Sequence, residues 1–100
     1  MKITKKLTGT TMEIALDDRL DNVTAPEVEK EIEELGKNPD IKELIWDFTD
    51  LEYITSAGLR TLLSAQRTLY GQAAMKVVHA NEMVREVFEL TGLDELLGDE

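Results

Sequence analysis

A run of β-forming residues, Leu44-Ile45-Trp46-Asp47-Phe48, stands between two stretches whose apolar residues recur at helical spacing. Strands that alternate with helices of about ten to fifteen residues point to parallel pairing, since a parallel neighbour is reached only through a crossover. The apolar run covers Ile41–Phe48 and has apolar residues on both faces, which predicts a central strand covered on two sides. Before it, Val28, Ile32 and Leu35 form one stripe, while Glu27, Glu29, Lys30, Glu31, Glu33 and Glu34 face water. Thr24 with Glu27 has the spacing of a capping box, Pro26 falls in the first turn, and Gly36 is placed to stop this helix. Asn38-Pro39-Asp40 reads as a turn. After the strand, a loop over Thr49–Ser56 leads to a second helix from about Ala57 to Tyr70, closed by Gly71. Its inward stripe is Leu59, Leu62, Leu63, Gln66 and Leu69, with Ser56 as N-cap.

The flanks complete the pattern. Met1–Lys6 and Met12–Leu16 read as strands joined by a hairpin at Gly9, with Met12, Ile14 and Leu16 alternating with Glu13 and Ala15. A polar loop, Asp17-Asp18-Arg19-Leu20-Asp21-Asn22, follows. Met75–Ala80 is a further strand, buried through Val77 and Val78. Asn81 caps a third helix with Val84, Val87, Phe88 and Thr91 on one face, closed by Gly92. Leu93, Leu96 and Leu97 make a short last element, and Asp99-Glu100 trails into solvent. The expected architecture is α/β, a single-layer mixed sheet of four to five strands with helices packed against it. At 100 residues, 42% hydrophobic and 32% charged, the chain is expected to form one domain over residues 1–100.

Composition removes several kinds of function. No cysteine is present, which excludes disulfides, thiolate chemistry and Cys-type zinc sites. Eleven basic against 21 acidic residues give −10, which disfavours nucleic acid and anionic membrane surfaces and favours a basic patch on a protein partner. No apolar run approaches a bilayer's thickness, and no signal peptide follows Met1-Lys2-Ile3-Thr4-Lys5-Lys6, so a soluble, cytoplasmic protein is expected. Asp17, Asp18 and Asp21 lack the spacing of a calcium loop, and no Gly-rich phosphate loop occurs. No metal and no cofactor is expected.

Chemistry concentrates where the central strand runs into the second helix, over Asp47–Arg60. In open α/β sheets the functional crevice lies beyond the carboxyl ends of the strands. Ser56 at that helix start has two readings. It can serve only as a cap, contributing about 1 kcal/mol. It can also be a phosphoacceptor, since a helix N-terminus tolerates an added anion while a partner packed over the same surface would have to bury it. A hydrolase using Ser56 and His79 is disfavoured, because the nucleophile elbow wants Gly two residues before the serine and Ile54 stands there. An enzyme is therefore not expected. Trp46 is read as packing, with an indole N–H in need of an acceptor. Arg60 can contact a partner or pair with an acidic loop residue.

The stretch Ile54-Thr55-Ser56-Ala57-Gly58-Leu59-Arg60 after Asp50-Leu51 resembles the phosphorylation loop of STAS-domain anti-sigma-factor antagonists. Leu20-Asp21 with Thr24-Ala25-Pro26 is similar to that family's loop before its first helix, and Val87–Leu93 to its closing helix. The resemblance spans essentially the whole chain and implies a STAS-like fold. It further implies that the unphosphorylated protein binds an anti-sigma factor of serine-kinase type, that phosphorylation of Ser56 ends binding, and that a serine phosphatase resets the cycle. Asp21, Thr24, Thr55, Ser56, Ala57, Gly58, Leu59 and Arg60 are the implied partner-binding positions, on a monomer or weak dimer. Two positions depart from the family pattern: Thr55 stands where some relatives carry Asp, and Asp17-Asp18 where a Gly often precedes the Leu-Asp pair. The same fold without a Ser56 switch would instead be a constitutive interaction or scaffold module, such as a transporter's regulatory domain or a sensory-complex subunit.

Overall fold

The computed structural model describes residues 1–98. In chain order these form β1 (Ile3–Thr8), β2 (Thr11–Leu20), α1 (Ala25–Gly36), β3 (Glu43–Ile54), α2 (Ser56–Thr68), β4 (Ala74–Val78), α3 (Glu82–Leu90) and a 3₁₀ turn at Asp94–Leu96. The sheet order is β1-β2-β3-β4. β1 and β2 are an antiparallel hairpin, Ile3 opposite Leu16 and Thr8 opposite Thr11, turning at Gly9 with φ +62°. β2–β3 and β3–β4 are parallel. This is the mixed α/β sheet expected from the alternation of periods.

Topology decides which face is covered. Both parallel crossovers step in the same direction across the sheet, and right-handed crossovers then place α1 and α2 on the same side. Leu44, Trp46 and Phe48 of β3 are fully buried there, with Ile14 and Leu16 of β2, Val28, Ile32 and Leu35 of α1, and Leu59, Leu62, Ala65 and Leu69 of and after α2. Val84 and Phe88 of α3 join the same cluster. Ile45 and Asp47 on the opposite face remain half-buried. The expectation of a strand covered on two sides is thus corrected: the sheet is covered on one. The Trp46 indole N–H has no acceptor among the described residues despite full burial.

Several boundaries move. β2 runs on through Asp17-Asp18-Arg19, expected as loop, and β3 runs to Ile54, through most of the expected Thr49–Ser56 loop. The two strands stay paired because β3 absorbs extra residues: Ala15 faces Asp47 but Asp17 faces Asp50, and Asp18 faces Leu51 but Arg19 faces Tyr53. These bulges replace the two-residue alternation with burial at Phe48, Leu51 and Ile54, so periodicity fails there. In α2, Ala65 is buried and Gln66 is exposed, which removes Gln66 from the inward stripe. β4 starts at Ala74 and ends at Val78, and Val78 is only half-buried. Thr91, expected on the apolar face of α3, is exposed and donates its hydroxyl to Val87 O at 2.7 Å.

Gly36 is the last residue of α1, not a left-handed stop. A Cβ there would lie 2.9 Å from Thr68 Cγ2, so Gly36 lets α1 and α2 approach. Gly71 and Gly92 do carry positive φ, at +79° and +76°, as expected of helix-ending glycines. The outer edge of β4 is met by a parallel bridge between Val77 and Leu97, with Gly98 N donating to Val77 O at 2.6 Å. The expected solvent-exposed Asp99-Glu100 lies outside the described residues. The edge strand β1 carries Lys5 and Lys6, charges that discourage edge-to-edge pairing.

Two substitutions on α3 separate core from surface. Phe88 is 0% exposed and Leu90 is 80% exposed. Phe88→Ala is expected to cost about 3–5 kcal/mol in urea unfolding. Leu90→Ala is expected to stay within about 0.5 kcal/mol.

Candidate functional site

β2 and β3 end side by side, Leu20 opposite Ile54, and each leads directly into a helix. The two exits are tied through one carbonyl. Leu20 O accepts the Thr55 N–H at 3.0 Å and lies 3.4 Å from the Thr55 hydroxyl. Gly58 packs onto the same carbonyl: a Cβ at that position would be 2.5 Å from Leu20 O and 2.8 Å from Ile54 Cγ1. Only glycine permits this approach of helix to strand end.

Thr55, not Ser56, is the N-cap of α2. Its backbone is extended (φ −104°, ψ 177°) and its side-chain oxygen accepts from Gly58 N at 3.4 Å, while Leu59 N bonds to Thr55 O at 2.9 Å. Ser56 is the first helical residue, which corrects its placement as the cap. The consequence for chemistry is direct. The Thr55 hydroxyl is engaged in the cap and against Leu20 O, whereas the Ser56 hydroxyl is exposed and makes no hydrogen bond among the described residues. The N–H groups of Ser56 and Ala57 precede the first intrahelical bond and lie at the positive end of the helix.

The facing rim is the loop between β2 and α1. Thr24 has helical backbone angles (φ −90°, ψ −19°) and no side-chain cap bond, so the expected capping box with Glu27 does not form. Instead Asp21 organises the turn: its Oδ1 accepts from Val23 N at 2.9 Å and Thr24 N at 3.1 Å, and its carbonyl accepts from Ala25 N at 2.8 Å. Thr24 Oγ1 accepts from Asp21 N at 3.0 Å and donates to Arg19 O at 2.8 Å. Thr24 therefore stitches the turn to the end of β2. The hydrogen bond from Thr24 N, with those from Val23 N and the Thr24 hydroxyl and the Arg19 charge, holds the Asp21 carboxyl below the usual carboxylate range against partial desolvation.

Through Leu20 O the structure sets the loop of Asp21 and Thr24 beside Thr55 and Gly58, with Ser56, Ala57, Leu59 and Arg60 on the first turns of α2. Gly58 and Leu59 are buried, so they set the position of the loop and do not form its outer surface. Ser56 and Arg60 are exposed. Three exposed apolar residues that periodicity did not single out occupy the same end of the sheet. Val23 is 74% exposed on the rim, Tyr53 stands opposite Arg19 near the end of β3, and Met83 is 56% exposed on the first turn of α3. That turn is tethered nearby, because the Asn81 side chain donates to Leu51 O at 3.2 Å and Glu52 O at 3.1 Å while capping Val84 N at 2.8 Å. An apolar Val23 inside a polar loop was the available signal. His79 follows β4 at φ +62°, and Ile54 lies in the core, so the strand-to-helix turn at Ser56 lacks the glycine of a nucleophile elbow. No group of three or more metal-ligating side chains converges among the described residues, and among them no helix is long and apolar enough to cross a membrane.

With this fold and loop pair in place, the STAS domain family model matches residues 2–98, and the chain belongs to that family. Solved structures of the same fold include the anti-sigma factor antagonist SpoIIAA in its unphosphorylated form, with TM-score 0.85, 22% identity, and 99% of this chain and 88% of that one covered. The phosphorylated form of SpoIIAA, described as a Bacillus cell fate determinant, matches with TM-score 0.76 and 22% identity over 99% and 91% of the two chains. An anti-sigma factor antagonist from Mycobacterium paratuberculosis matches with TM-score 0.83 and 24% identity over 96% and 81%. A comparison with curated protein sequences finds no match.

Two measurements probe the site's construction. Gly58→Ala is expected to lower stability in chemical unfolding. Its methyl meets a backbone carbonyl that cannot yield cheaply, and overpacking of about 1–3 kcal/mol outweighs the gain of about 1 kcal/mol from alanine in a helix. For Asp21, a depressed carboxyl pKa means a stabilising contribution that is complete above the unfolded-state value and disappears as pH falls through the folded-state value. Carboxyl NMR titration should place Asp21 below an unperturbed aspartate. Thr24→Val, which deletes the hydroxyl's bonds to the Asp21 carboxyl, Asp21 N and Arg19 O, should move it at least part of the way back.

Proposed function

We propose that this protein is an anti-sigma-factor antagonist. Unmodified, it binds an anti-sigma factor that is also a serine kinase; phosphorylated on Ser56, it is released. The observation that carries this reading is the contrast between adjacent hydroxyls, Thr55 engaged in the helix cap and Ser56 exposed without a hydrogen bond among the described residues. In the reaction, the γ-phosphoryl of ATP passes to Ser56 Oγ, ADP leaves and the hydroxyl proton is released. The product adds about −1.5 to −2 charges and three acceptor oxygens. Free in water at a helix N-terminus, that anion is tolerated and the fold is kept. Under a partner it must be desolvated, at a cost of several kcal/mol, and each ~1.4 kcal/mol is tenfold in affinity. A chain of net charge −10 gives a partner with a basic surface the better encounter. The solved antagonist structures of the same fold, one of them a phosphorylated form, support the assignment of class. A serine phosphatase would restore the binding form, and the cytoplasm is the compartment where ATP, kinase and transcription machinery meet.

The test is phosphorylation followed by site mapping. The purified protein is incubated with ATP and lysate of its native host, and intact mass and fragment spectra are read beside Ser56→Ala and Thr55→Ala. One phosphoryl group on Ser56, absent from Ser56→Ala and retained in Thr55→Ala, is the expected result. No modification, or one indifferent to Ser56→Ala, would remove the switch and leave a constitutive STAS-type interaction module.

A further inference from the structure

Arg60 stands four residues after Ser56 on α2, one turn along the same face. Helical side chains lean toward the N-terminus, so the turn that carries Ser56 is within reach of the Arg60 side chain. Arg60 is exposed, and among the described residues no carboxylate lies within ion-pair distance of it. In a chain of 21 acidic and 11 basic residues, that leaves a guanidinium uncommitted beside an uncommitted hydroxyl. The other arginine at this end, Arg19, lies near enough to the Asp21 carboxylate for its charge to help depress that carboxyl.

Resting on Ser56 as the phosphoacceptor, we propose that Arg60 is the phosphate clamp of the modified protein: its guanidinium folds onto the Ser56 phosphate and holds it against α2. The order is the favourable one, an acid at position i and a base at i+4. The planar guanidinium fork matches two phosphate oxygens, which a lysine ammonium cannot do. Clamping removes from the contact surface the positive charge that Arg60 presents before modification. Phosphorylation then changes the surface twice, adding an anion at Ser56 and withdrawing a cation at Arg60. A partner carboxylate that met Arg60 would lose its contact to an intramolecular competitor.

The experiment installs phosphoserine at position 56 of the full chain by genetic encoding and follows the phosphate by ³¹P NMR titration. Because the phosphate does not depend on a native kinase, failure of the antagonist reading and failure of the clamp give separate results. The phosphate's second pKa should lie below the usual value of about 6 and rise toward it with added salt. Arg60→Gln should raise it by a fraction of a pH unit and remove most of the salt dependence. Arg60→Lys should fall between, and Arg19→Gln should leave it unchanged. Equal titrations in the unsubstituted protein and Arg60→Gln would overturn the clamp, as would an Arg19→Gln shift equal to or larger than that of Arg60→Gln. Both arginines are exposed, and amide NMR spectra of each variant confirm that the fold is kept.

Discussion

The carbonyl of Leu20 is the contact on which the functional end of the molecule rests. It closes the last parallel step between β2 and β3 by accepting Thr55 N–H, and it lies so near α2 that residue 58 has to be glycine. The strand that leads into α1 and the strand that leads into α2 are therefore locked at their exits, and the two loops share one frame. Asp21 and Thr24 add a second lock on the α1 side, where each polar side chain satisfies backbone donors of its own turn. Rigid presentation follows from these few bonds. Ser56 can be exposed and still occupy a defined position, because its neighbour Thr55 makes the cap.

Covering the sheet on one side has a functional counterpart. Both crossover helices and α3 gather their apolar residues over β3, and the core reaches Leu20 and Ile54 at the strand ends while leaving out loop residues such as Val23 beyond them. The loops can then carry charge, exposed apolar residues such as Val23 and a modifiable hydroxyl without loss of core packing. The opposite face of the sheet mixes half-buried Ile45 and Val78 with charged residues, and Lys76 Nζ lies 3.8 Å from Glu43 Oε2 between adjacent strands. An exposed pair of this kind contributes little to stability and mainly keeps the face wet.

Element type and order were legible from period alone, because Val28, Ile32 and Leu35 and the alternation in Met12–Leu16 report a single buried face each. The ends of β2 and β3 were not. Backbone pairing continues through Asp17-Asp18-Arg19 without any apolar side chain to announce it, and the bulges in β3 erase the alternation after Phe48. The apolar character of Ile45 suggested a second covered face, but coverage is set by the direction of the crossovers, which local composition does not encode. At the site, the cluster of residues was legible through its resemblance to a known loop, while the division of roles within it was not. Thr and Ser are both good caps, and only the extended backbone at Thr55 decides between them.

That decision bears on why a threonine can stand where some STAS relatives carry aspartate. A cap needs an acceptor for the N–H groups of the first turn, and Thr55 Oγ1 supplies one toward Gly58. A hydroxyl also brings a donor, which Thr55 directs toward Leu20 O at 3.4 Å, something a carboxylate cannot do. Threonine at this position thus trades the charge–dipole attraction of an aspartate for a second link between the loops. It also leaves the first turn of α2 itself without an acidic residue. An anion added at Ser56 then meets the positive helix end with no like charge in its own turn, which favours the folded protein's carrying the phosphate.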